Sequence, residues 1–94
     1  MNTVEWTETA EDDYLKLLKE TYLKNTDFGV ALYDRMEALI ENLRQFNHLC
    51  PPTQRFPKFR RCVVTRYLSL VYEVGENSIT VISIFDSRND NPFV

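Results

Sequence analysis

The chain has 94 residues, 44% of them hydrophobic and 13% aromatic, which suits one domain with its own core and excludes two. Its 11 Lys and Arg against 14 Asp and Glu give a formal charge of −3. No apolar stretch approaches the ~20 residues needed to cross a bilayer, and the polar, acidic start MNTVEWTETAEDDY lacks the basic-then-apolar pattern of a secretory signal. The expectation is a soluble cytoplasmic protein, a single domain over 1–94, with no membrane association.

In chain order, TVEWT alternates and predicts a first strand ending near Trp6. Thr7 or Thr9 then offers a capping oxygen, and Glu8, Glu11, Asp12 and Asp13 crowd the following turns, where the helix dipole favours negative charge. Ala10, Tyr14, Leu17, Leu18 and Tyr22 recur at three or four residues, predicting an amphipathic helix to about residue 24. Lys24-Asn25-Thr26-Asp27 is a polar break with fresh capping residues. A second helix follows, with Phe28, Ala31, Leu32, Met36, Leu39, Ile40, Leu43 and Phe46 as its buried stripe. Pro51-Pro52 forces it to stop before Cys50. The short connection implies an antiparallel helix hairpin.

The second half changes period. Residues 61–65 and 67–74 are rich in Val, Leu and Tyr, Gly75-Glu76-Asn77 reads as a turn, and SITVISIF at 78–85 as another strand. Tyr67 and Tyr72, five apart, fall on opposite faces of their strand. The order predicts an α+β domain, β-α-α-β-β-β, with the helix hairpin on one face of a small antiparallel sheet. Trp6, Tyr14, Tyr22 and Tyr33 read as packing residues. Cys50 and Cys62 are too few for a disulfide framework and lack CxxC or zinc spacing, so they read as packed or idle thiols. His48, the single histidine, reads as a surface loop residue where the second helix ends.

Charge is divided unevenly along the chain: residues 1–54 hold five cations and ten acids, residues 55–94 six and four. Arg55, Lys58, Arg60, Arg61 and Arg66 fall within twelve residues that contain no acid. Such a run predicts a basic face, opposite the acidic hairpin, that meets an acidic protein segment or a polyanion.

Several local words, in this order, resemble the RelE/ParE superfamily, toxins of bacterial type II toxin-antitoxin systems. They are VEWTETAEDDYLKL, ALIENLRQF, RRCVVTRY, SLVYEV and the close SITVISIFDSRNDNP, whose Asp-x-Arg-x-Asp-x-Pro ending is the most ParE-like. The resemblance implies a cognate antitoxin that wraps the toxin as a helix or added strand, possible toxin-antitoxin hetero-oligomers, growth inhibition, plasmid stabilisation, and no metal or organic cofactor. It also implies one of two targets, DNA gyrase or ribosome-bound mRNA.

RNA cleavage needs a base, an acid and cations for the phosphorane-like state. The RNA-cleaving members place a cation where this chain has Ser69, and a Tyr or His close to the C-terminus, where this chain offers Arg88 and Phe93. The expectation is therefore a gyrase-directed toxin without nuclease chemistry, with an endoribonuclease and a non-toxic antitoxin-binding module as the alternatives. Catalytic residues stay unassigned. Arg60, Arg61, Arg66, Tyr67 and Arg88 are the expected target- or antitoxin-binding residues.

Overall fold

A computed structural model describes residues 1–88 of the chain; Phe93 and the rest of the NDNPFV close lie outside the described residues. The elements are β1 (Thr3–Trp6), α1 (Glu8–Lys24), α2 (Thr26–Gln45), β2 (Phe59–Thr65), β3 (Leu68–Gly75) and β4 (Ser78–Asp86), the β-α-α-β-β-β order expected. The sheet runs β1-β4-β3-β2. Its β2-β3 and β3-β4 pairs are antiparallel, and β1 lies parallel to β4, so the sheet is mixed.

Local chemistry accounts for the joints. Thr7 caps α1 by accepting from the Ala10 amide at 3.1 Å. Asn25 alone separates the helices: its amide donates to Thr21 at the end of α1, and its side chain accepts from Phe28 N at the start of α2. One residue that serves both helix ends leaves them no choice but to fold back on each other. At their crossing Gly29 faces Tyr22 so closely that a Cβ would lie 2.6 Å from the Tyr22 Cα. The β3-β4 hairpin turns through Glu76 and Asn77, the latter at φ 58°, a conformation asparagine tolerates better than most residues.

The hairpin packs on one sheet face. Ala10 and Tyr14 from α1, and Leu32, Met36, Ile40 and Leu43 from α2, meet the inward residues of the strands, among them Leu70, Tyr72, Ile79 and Val81. Trp6 stacks on Tyr14 with ring centroids 5.5 Å apart. Five expected packing residues point elsewhere. Phe28, Ala31, Phe46, Tyr22 and Tyr33 are exposed, because only one side of the hairpin meets the sheet and these lie at its mouth, its end or its outer side.

The cysteines also depart from expectation: Cys50 and Cys62 form a disulfide, with Cα atoms 5.3 Å apart. Sequence spacing did not suggest it because the contact is made by a loop. After α2 the chain doubles back, and Pro51–Thr53 lies along the open edge of β2, where Arg61 N donates to Pro51 O at 3.0 Å and Thr53 N to Phe59 O at 2.8 Å. That return places Cys50 beside Cys62.

Candidate functional site

A groove of about 640 Å³ opens between the hairpin and the end of the sheet. Leu17 of α1, Phe28, Ala31 and Leu32 of α2, and Leu68, Ile84 and Phe85 of the strands make it largely apolar. Its charged lining is Asp13, Arg35, Asp86 and Arg88. Arg35 bridges the two layers, donating from Nη1 to the Val64 carbonyl at 3.1 Å. Sequence reasoning missed Arg35 because an arginine on the polar side of a helix reads as a solvated one.

The rim is built at the tip of the β2-β3 hairpin. Thr65 pairs with Leu68, so Arg66 and Tyr67 are the two turn residues. The chain leaving β4 runs alongside them, Ser87 N donating to Tyr67 O at 2.7 Å, and this delivers Arg88 to the tip. The Tyr67 ring, 41% exposed, has two guanidiniums within cation-π reach, Arg66 at 5.1 Å and Arg88 at 4.4 Å from its centroid. Arg88 is also held by Asp86, its Nε and Nη2 donating to the carboxylate at 3.0 and 2.6 Å. These side-chain bonds, with a further one from the Arg88 amide, hold the Asp86 carboxyl down at about 2 and raise the guanidinium.

The five expected residues therefore divide. Arg66, Tyr67 and Arg88 form one cluster. Arg61 lies on the sheet face away from the helices, its Nε donating to Ser69 Oγ at 3.0 Å and its guanidinium 5.7 Å from the Phe85 ring, the same ring that lines the groove. Arg60 points the other way, and its Nη1 donates to the Cys50 carbonyl at 2.6 Å and more weakly to that of His48 at 3.4 Å. It braces the disulfide loop and stands apart from the cluster. Strand parity is the signal that separates Arg60 from Arg61, since consecutive strand residues face opposite sides. His48 is exposed in its loop, as expected, with Nδ1 2.7 Å from Asn47 Oδ1.

Ser69 is 1% exposed and sits where the resemblance gives the RNA-cleaving members a cation. The Arg61 side chain reaches across from the neighbouring strand to the same place. Two tyrosines inside the fold are kept neutral. Burial, then the nearby Glu37 and Tyr33, push Tyr14 up to about 12. Burial raises Tyr72, opposed by its backbone bond with Cys50 and by Arg60. Tyr72 Oη donates to Asn47 O at 2.9 Å and accepts from Cys50 N at 3.3 Å, so it pins the same loop as Arg60.

A family model for the ParE toxin of the parDE type II toxin-antitoxin system matches residues 4–91. The chain belongs to the ParE toxin family. Among solved structures, this ParE-family chain is similar to a chromosomal ParDE TA system from P. aeruginosa, at TM-score 0.73 and 17% identity over 92% of this chain and 96% of that one. A metal-bound toxin from Helicobacter pylori gives TM-score 0.71 at 24% identity, covering 94% and 97%. The YoeB/ParE toxin from Agrobacterium tumefaciens gives 0.65 at 18%, covering 89% and 96%. These likenesses establish the shared fold. A comparison with curated proteins by sequence finds no match.

Proposed function

We propose that this chain is a gyrase-directed toxin that acts in the cytoplasm and is silenced when a segment of its cognate antitoxin occupies the groove between hairpin and sheet. The groove carries the reading: its apolar floor, from Leu17, Leu32, Leu68 and Ile84, suits one face of an amphipathic segment, while Arg35, Arg88 and the adjacent Arg66 suit acidic residues beside it. The YoeB-YefM complex from Staphylococcus aureus is a solved toxin-antitoxin pair on the same fold, at 14% identity and TM-score 0.60, which supports a proteinaceous partner here. Membership of the ParE family supports gyrase as the target.

The Arg61–Ser69 contact favours a second reading, ribosome-dependent RNA cleavage, because it supplies a guanidinium where a nuclease of this fold needs a cation. One experiment separates the readings. The chain is induced alone in bacteria, and again with its neighbouring small gene, while growth, messenger RNA ends and the DNA-damage response are followed. The gyrase reading expects arrest, a damage response and intact messages, relieved by the neighbour, with purified toxin inhibiting supercoiling. Arrest with cuts inside codons establishes the RNA reading. Tight antitoxin binding without arrest leaves a binding module.

A further inference from the structure

The edge of β2 is covered over half its length, and the cover is fastened by the disulfide. Strands at a sheet edge expose unpaired backbone groups, and β2 is such a strand. Phe59 and Arg61 turn their outward backbone groups to Thr53 and Pro51, and Pro52 bridges to Arg60. Pro51 and Pro52 have no amide hydrogen, so the cover itself offers little for another strand to pair with. Two residues beyond Arg61, on the same parity, Val63 is 70% exposed and the cover has ended. Short of the disulfide, the cover is held by two backbone bonds, by Arg60 Nη1 on Cys50 O, and by the Tyr72 hydroxyl.

We propose that Cys50–Cys62 is a thiol-disulfide exchange site for a dithiol reductant, and that its redox state decides whether the edge of β2 is closed or open to an added strand. Cys50 is the partly exposed residue of the pair and Cys62 is 2% exposed, so attack falls on Cys50. A thiolate of the reductant bonds to Cys50 Sγ as the Cys50–Cys62 bond breaks, and Cys62 leaves as a thiolate that takes a proton from water. The second thiol of the reductant then attacks the mixed disulfide and releases Cys50 as a thiol. Two electrons pass to the chain, and the reductant departs as its own disulfide. In a reducing compartment such a bond forms under oxidising conditions and is otherwise open. The oxidised chain keeps its proline cover; the reduced chain loses the covalent tether, and an incoming extended segment can replace the backbone bonds that Phe59 and Arg61 make with the cover.

The test is amide hydrogen exchange by NMR on the full chain, oxidised and then reduced with dithiothreitol, with thiols titrated in each state. Reduction should release two thiols and speed exchange at Thr53 and Arg61 roughly 100-fold, the size expected when a loop of this length loses its closure. Amides of the β3-β4 pair should keep their protection, and far-UV circular dichroism should show the fold intact. The double variant Cys50→Ser with Cys62→Ser should match the reduced chain and ignore the reductant. Unchanged exchange at Thr53 and Arg61 after two thiols appear overturns the proposal. So does an air-oxidised chain with two free thiols, or a reductant that unfolds the whole sheet instead of freeing its edge.

Discussion

Gly29→Ala sets helix propensity against packing, and the two predict opposite signs. Alanine in a helix interior is favoured over glycine by up to about 1 kcal/mol, which alone raises Tm by roughly 4–8 °C in a domain of this size. The structure argues the reverse. A Cβ on Gly29 lies 2.6 Å from the Tyr22 Cα and 2.8 Å from its Cβ, and the first of these is backbone that no rotamer change can move. Restoring ordinary carbon contacts requires α1 and α2 to part by roughly 1 Å. Overpacking of that kind costs about 1–3 kcal/mol. After the full propensity gain, a net loss of up to about 2 kcal/mol remains, which lowers Tm by as much as roughly 15 °C. Because Leu17 and Leu32 line the groove from the two helices, partner affinity should fall as well. Differential scanning calorimetry gives the sign directly. A Tm equal to or above that of the parent refutes the steric argument.

Replacing Arg61 and Arg66 together with Ala should weaken the antitoxin complex and flatten its dependence on salt, measured by titration calorimetry at several ionic strengths; equal affinities and slopes remove both residues from the interface. Tyr14→Phe and Tyr72→Phe should differ in urea unfolding. The Tyr14 hydroxyl is buried without a hydrogen-bond partner among the described residues, so its loss should be neutral or stabilise by about 1 kcal/mol, whereas Tyr72→Phe strands Asn47 O and Cys50 N and should cost about 1–3 kcal/mol. The Asp86 carboxyl, depressed by Arg88, should titrate by NMR at about 2 and move up in Arg88→Ala. A depressed acid stabilises the fold above its unfolded value near ~4, and that contribution fades as pH falls through about 2.

The fold was legible where periodicity reports burial on a single surface. Leu68, Leu70 and Tyr72 alternate in sequence and face the core, and Met36, Ile40 and Leu43 repeat at helical spacing and do the same. Periodicity fails where a helix has apolar residues on more than one side: it counted Phe28 and Tyr33 as packing residues because it cannot say which side a sheet will cover. The site was half legible. A cation-rich run marked Arg61 and Arg66, but the meeting of Arg66 with Arg88 over Tyr67 depends on the β3-β4 register, which pairs Leu68 with Asp86. The disulfide needs a loop to turn back on an edge strand, and no local pattern encodes that return.

The strand order gives the chain a clock. Among the described residues β4 is both the last strand in sequence and an inner one, with the first strand on one side and β3 on the other. Thr3 waits for Ser78 before its ladder can begin, and Thr7 N for Val81 O. Pairing so distant in sequence closes late and slowly. During synthesis, therefore, the groove has no Ile84 or Phe85 for its wall and no Arg88 for its rim until β4 and the residues after it have been translated. Whatever occupies the groove can do so only once β4 has been made, and a message truncated before β4 yields a chain in which the groove is never closed.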